Sequence, residues 1–373
     1  MSANAAASLR LVVAGERLSD EAALEVYLHA DIKDLQACAR AVRNRFAAQD
    51  SVSFLVDRNV NYTNVCITDC KFCEFYRPPG HSESYVLTRD VLARKLDELA
   101  SIGGSRVLLQ GGHHPELRLA WYVDLFRWLR ERWPSLQLDA LSPSEIEHIA
   151  SLENMSTREV LAVLADAGLG GVPGGGAEIL EDSIRDVVSP RKTRTRDWLR
   201  IMGEAQDLNL YTSASQVVGF GEEASHRLAA LRAVRDHQDA RLAQGRIGFL
   251  AFVAWPLQFE SRYGHVFGEL KGWNLGADAA GYLRHIAFCR VYLDNIAHFQ
   301  ASWPTMGLEV AAQALHHGCD DMGGIMMEEN VVSQAGSIHC SVTETEVRNT
   351  IVAAGFSPWK RDSWYRAAHA PLS

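Results

Sequence analysis

From Ser19 to Leu28 and again from Asp31 to Ala48, Leu, Ala and Val recur at helical spacing, and Ser19 is placed to cap the first of these segments. Beyond them the rhythm changes. Short apolar runs alternate with amphipathic stretches, the pattern of βα units around a parallel sheet. The runs predict strands near Tyr62–Val65, Arg106–Gln110, Gln137–Leu141, Gly170–Pro173, Leu210–Ser215, Gly248–Phe252, His298–Ser302 and Asp320–Gly324. Helices are expected over Arg89–Ile102, Leu119–Arg132, Thr157–Ala167, Arg194–Leu208, Ala224–Leu242, Gly281–Ile296 and Leu308–His317. Eight strands with intervening helices predict an α/β fold, a complete (β/α)8 barrel of the TIM type, with its active site where the strands' C-terminal ends meet their loops. Residues 1–50 read as an N-terminal helical cap, 51–342 as the barrel, and 343–373 as a C-terminal extension of one helix and a short strand.

Composition narrows the function. The 373 residues are 47% apolar and 22% charged, with a formal net charge of −9 and no basic block, which argues against nucleic acid as a partner. The longest apolar run, Phe249 to Trp255, is far too short to span a bilayer, and the N-terminal residues lack the basic region and long apolar stretch expected of a secretory leader. Seven cysteines without a paired framework suit a reducing, cytoplasmic setting.

Three of those cysteines, Cys66, Cys70 and Cys73, fall within eight residues. A closed zinc site would want a fourth ligand at finger or ribbon spacing, and the nearest candidate, His81, sits in a Pro-Pro-Gly loop. Iron–sulfur clusters usually take four thiolates, so three leave one iron open for a small molecule. The run Cys-x-x-x-Cys-x-Phe-Cys, with Phe72 as its aromatic residue, resembles the signature of the radical S-adenosylmethionine (SAM) superfamily. That resemblance implies a 4Fe-4S cluster on the three thiolates, with S-adenosylmethionine chelating the fourth iron. The reduced cluster would then cleave the sulfonium to methionine and a 5'-deoxyadenosyl radical.

A narrower resemblance covers nearly the whole chain. Asp57 to Cys66, Phe75 to His81, Leu109-Gln110-Gly111-Gly112-His113-His114-Pro115, Ala140 to Pro143, Pro173 to Glu178, Tyr292 to Asn295, Gln300 to Trp303 and Glu328 to Val332 are similar to the dehypoxanthine futalosine cyclase family of menaquinone biosynthesis. The implied reaction starts with abstraction of the ribose C4' hydrogen, continues with addition to the benzoate ring, and ends with loss of an electron and a proton. A different nucleoside-like substrate is the alternative, and a non-catalytic iron–sulfur carrier is the reading from outside enzymology. An electron donor such as flavodoxin or ferredoxin is implied as a partner.

The same resemblance nominates site residues. Phe72, the turn Gln110-Gly111-Gly112, Ser142 and Glu178 are expected to contact the cofactor; Ser142 could equally cap a helix, and Glu178 could sit exposed at a helix start. His113, His114, Glu328 and Glu329 are the catalytic candidates, for substrate hydroxyls or a released proton, although one histidine could belong to a cap region and one acid to solvent. A cation for the substrate carboxylate is expected, with Arg77 or Arg262 available. Three places depart from the family pattern. Gly219-Phe220-Gly221-Glu222 carries a phenyl ring where an imidazole is expected, Trp255 to Arg262 lacks the usual Pro-Gly turn, and Glu74 replaces a small residue.

Overall fold

The computed structural model describes residues 2–260 and 262–368. Three helices come first, α1 (Ala3–Val13), α2 (Asp20–His29) and α3 (Ile32–Arg43). Ser19 caps α2 by accepting from the Ala22 N–H, and Asp31 caps α3 by accepting from Lys33. Next are β1 (Ser51–Leu55), β2 (Asp57–Asn61), α4 (Arg89–Ser101), β3 (Arg106–Gln110), α5 (Leu119–Arg132), β4 (Gln137–Ala140), α6 (Pro143–Glu153), α7 (Thr157–Ala167) and β5 (Gly171–Val172). The second half runs through α8 (Asp182–Val188), α9 (Thr195–Asp207), β6 (Tyr211–Val218), α10 (Ala224–Ala243), β7 (Ala251–Pro256) and a π-helical turn at Gly264–Leu270. It ends with α11 (Ala279–Tyr292), β8 (His298–Gln300), α12 (Trp303–Leu315), β9 (Asp321–Gly324), α13 (Glu344–Ala353) and β10 (Ser357–Lys360).

Every pairing between these strands is parallel, in the order β10-β1-β9-β8-β7-β6-β5-β4-β3-β2. Only Val56 separates β1 from β2, so the two are halves of one run. That run is bonded on both flanks. On one side β1 pairs with β9 and the Asn59 N–H reaches the Met326 carbonyl at 2.8 Å; on the other, β2 pairs with β3 over five residues. The sheet therefore curls until it meets itself as a TIM-type barrel, with β10 added outside β1. The α1–α3 cap packs on α10 and α11, where Arg284 donates to the carbonyls of Tyr27 and Ala30. Among the described residues, no helix is long and apolar enough to cross a membrane.

The first strand lies earlier than the expected Tyr62–Val65, because four of the five residues of β2 are polar and it does not look like an apolar run. Asp57 and Asn59 face the barrel interior. The helices α1, α6 and α8 have no expected counterpart; α6 starts directly on the Ser142 cap and Pro143, leaving no loop to announce it. Helix α12 begins at Trp303, ahead of the expected Leu308, and is broken at Gly307, whose φ is +78°.

The interior floor of the barrel is ionic. Asp57, fully buried, accepts from Arg106 Nε at 3.1 Å and Nη2 at 2.5 Å, and Arg106 Nη1 stands 3.7 Å from the equally buried Asp139. The chain after β10 closes this end. Ser363 donates to Asp139 at 2.9 Å, Arg361 pairs with Asp321, and the Tyr365 hydroxyl donates to Asp321 at 2.6 Å.

Removing one partner of a fully buried ion pair leaves the other charge uncompensated. Arg361→Met is accordingly expected to cost about 3–5 kcal/mol of stability, checked by urea unfolding of the anaerobically purified protein against wild type. A change within experimental error would mean that Asp321 does not depend on this partner.

Candidate active site

The loop between β2 and α4 carries the three cysteines and is tied down by main chain. Cys66 N–H donates to the Arg77 carbonyl at 3.0 Å, Arg77 N–H to Asn64 at 2.7 Å, and Lys71 N–H to Val188 at 2.8 Å. The Cys66 sulfur accepts from the backbone N–H of Thr68 at 3.4 Å and of His113 at 3.3 Å. Burial pushes the Cys70 thiol up to about 12, with Lys192 opposing, and raises Cys73, which Tyr76 and Phe75 N–H groups oppose. N–H donors aimed at sulfur and a nearby ammonium are what a bound thiolate needs around it. No three His, Cys, Asp or Glu side chains among the described residues converge tightly enough for a single metal ion. In a multi-iron cluster each thiolate serves its own iron.

From this loop a cavity of about 290 Å³ runs down the barrel. Phe72 and Cys73 line its upper end, with Gln110, Gly174–Gly176 and Glu178; Asn59, Leu108, Ser213 and Gln300 line the middle, and Arg106 and Tyr211 its floor. Two turns lie at the upper end, the first reaching the wall through Gln110 and the second through Gly174–Gly176, and both need glycine. A Cβ on Gly111 would stand 2.6 Å from the Tyr62 ring, and one on Gly112 would run into the Val65 carbonyl. A Cβ on Gly174 would meet the Ser213 carbonyl at 2.8 Å, and one on Gly175 would meet the Gln110 amide at 2.5 Å.

Glu145, at the start of α6, fixes the first turn. Its Oε1 accepts from the Gly111 N–H and from the Tyr62 hydroxyl, each at 3.0 Å. Burial holds this carboxyl up at about 7, against the hydrogen bonds from Ser142, Gly111 and Tyr62. Arg185 fixes the second turn by donating to the carbonyls of Gly176 and Ile179. Glu178, in the left-handed region at φ +42°, accepts from Lys192 Nζ at 2.5 Å. Its other oxygen, Oε2, is buried without a hydrogen bond among the described residues and faces Arg185 Nη1 at 3.6 Å. A buried carboxylate, glycine-lined main chain and the Cys73 thiol at one end of a cavity, with Cys66 and Cys70 in the same loop, fit a cluster that carries a small polar cofactor.

The catalytic candidates fare differently. His114 lines an outer groove with Pro79, Tyr85 and Pro115, and its Nδ1 accepts from the Glu116 N–H, so it shapes the turn and does not meet the cavity. The His113 ring stacks on His148 at 4.9 Å, and burial lowers it to about 3, so it stays neutral. It too is absent from the cavity wall. Glu328 is an ion-pair partner of Arg58, at 3.1 Å, and of Lys95, away from the cavity. Glu329 does line it, but its carboxylate is occupied by the N–H groups of Val331, Val332 and Ser333. Ser142 accepts from the Glu145 N–H as the cap of α6 and is not in the wall. Neither arginine offered for a carboxylate reaches the cavity. Arg77 is held by Glu83 and the Glu74, Phe75 and Tyr76 carbonyls, and Arg262 faces Asp69.

The three departures from the family pattern meet in one place. The Phe72 ring packs on Phe220 at 5.2 Å, Phe220 on Tyr263 at 5.8 Å, and the Arg262 N–H donates to Glu74 at 2.8 Å. Of the segment Trp255 to Arg262, only Ser261 lies outside the described residues. Sequence reasoning passes over Glu145, Lys192, Arg185 and Asn59. The Ser142-x-x-Glu145 spacing of a capping box is a usable signal for Glu145, whereas nothing local marks Lys192 or Arg185.

Residues 60–234 match the radical SAM superfamily, and residues 246–373 match the CofH/MqnC C-terminal region. A cyclic dehypoxanthine futalosine synthase from Halalkalibacterium halodurans is 40% identical, covering 96% of this chain and 93% of its own. One from Streptomyces coelicolor is 38% identical, covering 94% and 86%, and an aminodeoxyfutalosine synthase from Thermus thermophilus is 34% identical, covering 95% and 93%. Among solved structures, methylornithine synthase (PylB) superposes with a TM-score of 0.70 at 16% identity, covering 94% of this chain and 96% of that one. HydG, a maturase of the FeFe-hydrogenase, does so at 0.71 and 13%, covering 96% and 76%; at such identities the likeness speaks for the fold alone. The superfamily uses a 4Fe-4S cluster and S-adenosylmethionine. The chain therefore belongs to the radical SAM superfamily, in the branch that carries the CofH/MqnC C-terminal region.

Proposed function

We propose that the protein cyclises dehypoxanthine futalosine. The observation that carries this reading is the 40% identity to the Halalkalibacterium synthase across 96% of the chain, in a barrel whose cavity opens on the cysteine loop. In this reading Cys66, Cys70 and Cys73 hold the cluster, and Phe72, the Gln110–Gly112 turn, Gly174–Gly176 and Glu178 receive S-adenosylmethionine. When bound, cluster and cofactor supply a carbon-centred radical that abstracts hydrogen.

The protein's own contribution is placement. A reacting hydrogen held about 3–3.5 Å from its acceptor needs little further activation. The cavity wall is built for such placement. Leu108, Val217, Val253, Trp255, Leu257 and Met326 exclude water, and the carboxamides Asn59, Gln110 and Gln300 offer hydrogen bonds without charge. No histidine lines it among the described residues. The reading includes a one-electron donor such as flavodoxin or ferredoxin, and a cytoplasmic setting. A different nucleoside-like substrate is the competing reading, raised by Phe220 and by the segment Trp255 to Arg262.

Anaerobic reconstitution followed by dithionite, S-adenosylmethionine and dehypoxanthine futalosine is expected to give a dehydrogenated, cyclised product by mass spectrometry. Ample 5'-deoxyadenosine without that product would favour the competing substrate. Cys70→Ala should lose most of its cluster iron and visible absorbance after reconstitution while keeping its far-UV circular dichroism.

Glu145 gives a pH-dependent expectation. Its folded pKa of about 7 lies above the ordinary glutamate value of 4.5, so the native state binds the proton more tightly than the unfolded state does. Wild-type stability should therefore fall as pH rises through that window and level off above it. Glu145→Gln keeps an oxygen for Gly111 and Tyr62 but cannot ionise, so its stability relative to wild type should rise between those pH values. A difference that is flat with pH, by chemical unfolding at several pH values, would show that Glu145 is not held protonated.

A further inference from the structure

Asn59 sits on β2 with 6% of its surface exposed, lines the cavity, and its Oδ1 has no hydrogen-bond partner among the described residues. A buried amide oxygen without a partner is costly, and native structures tolerate it chiefly where something else completes it. Depth separates it from the cofactor end. In the β2–β3 register Asn59 lies opposite Leu108 and Asn61 opposite Gln110, so Asn59 is one inward layer below the Gln110 turn, roughly 7 Å further from the cysteine loop.

The surroundings hold Asn59 in place and leave room in front of it. Its own N–H donates to the Met326 carbonyl at 2.8 Å, and Met326, at φ +61°, is pinned from the other side by its N–H to Asp57 Oδ1 at 2.9 Å. Gln300 enters the same cavity from β8 across β9, where Gly323 leaves the space; a Cβ there would collide with the Gln300 amide. The floor below faces the cavity with Arg106, whose guanidinium is already paired with Asp57 and stands 3.7 Å from Asp139, so it offers no free cation to an anionic group of the substrate. An acceptor that is buried, neutral and rigid, above such a floor, calls for a neutral donor.

We propose that Asn59 is a specificity-determining residue whose amide oxygen accepts a hydrogen bond from a sugar hydroxyl of the substrate. The assignment rests on the nucleoside-like substrate of the proposed function and adds the residue that reads its sugar. Because the Asn59 amide oxygen supports nothing in the fold, replacing it should spare folding and cofactor binding.

The test compares wild-type, Asn59→Leu and Asn59→Ala holoenzymes, reconstituted anaerobically. It measures equilibrium binding of dehypoxanthine futalosine, the EPR change of the reduced cluster on adding S-adenosylmethionine, and product formed per 5'-deoxyadenosine released. Both variants are expected to show the wild-type EPR change, to bind dehypoxanthine futalosine about tenfold or more weakly, and to release more 5'-deoxyadenosine per product. If Asn59→Leu fails to fold, Asn59→Ala, which adds no bulk, decides. Wild-type turnover with affinity and coupling preserved in the variants overturns the role of Asn59 and leaves the cyclase reading standing. Failure of the wild type itself to bind or convert dehypoxanthine futalosine overturns the cyclase reading, and this assignment with it.

Discussion

A carboxylate shut away from water must be paired, and Asp57 finds its partners on both sides of the seam where the barrel closes. One oxygen accepts from Arg106 on β3, the other from the Met326 N–H just past β9. The strand that begins at Asp57 is the one shared by both edges of the curled sheet, so a single buried charge joins the first strand to its two neighbours. Much of the interior follows from that. Arg106 brings in Asp139, Asp139 takes Ser363, and the chain that supplies Ser363 also brings Arg361 and Tyr365 to Asp321. The C-terminal segment is thus drawn under the barrel by charges that would otherwise lack partners.

At the other end of the cavity the cysteine loop is held by a different kind of contact. Asp69, between the first two cysteines, accepts from Lys71 and from the Tyr76 hydroxyl, and these bonds lower it to about 2. Arg262 approaches the same carboxylate at 3.5 Å, and its N–H is taken by Glu74. Phe72, Phe220 and Tyr263 then join the loop, the end of β6 and the segment after β7 through ring packing, with the Tyr263 hydroxyl on the Phe220 carbonyl at 2.9 Å. A phenyl ring at 220 and an acid at 74 therefore belong together. An imidazole there would bring a polar edge against Phe72, and a small residue at 74 would leave the Arg262 N–H without its acceptor.

Periodicity makes most of this architecture legible from the chain alone. Helices such as Leu119–Arg132 and Thr157–Ala167 have apolar faces against the sheet, and their boundaries coincide with those expected. The opening strand escapes the pattern for a physical reason: where a barrel interior is a polar cavity, its inward positions read as polar and the apolar signal weakens. The site divides the same way. Cysteines and glycine turns announce themselves through spacing, because thiolate ligation and close backbone approach admit few residue types. The roles of His114, Glu328 and Glu329 turn on which way a loop side chain points. Here it points to a turn N–H, to Arg58 with Lys95, and to three N–H groups of the following turn.

Those loop geometries carry a cost that the floor helps to meet. Glu178, Met326 and Met327 all hold positive φ, at +42°, +61° and +53°, without the freedom of glycine. Such backbones cost about 1–3 kcal/mol each and persist only where their surroundings leave no alternative. For Met326 the surroundings are Asp57 and the Asn59 N–H; for Glu178 they are Lys192 and the Val217 N–H on its carbonyl at 2.6 Å. Each of the three lies in the cavity wall or directly beside a residue that does, and main-chain bonds from Asn59 and Val217, themselves wall residues, join the buried charges of Asp57 and Lys192 in holding Met326 and Glu178. Control of a radical by placement requires walls that do not give, and buried ionic and main-chain bonds make them stiff. The same bonds that close the barrel therefore set the position of the atoms facing the substrate.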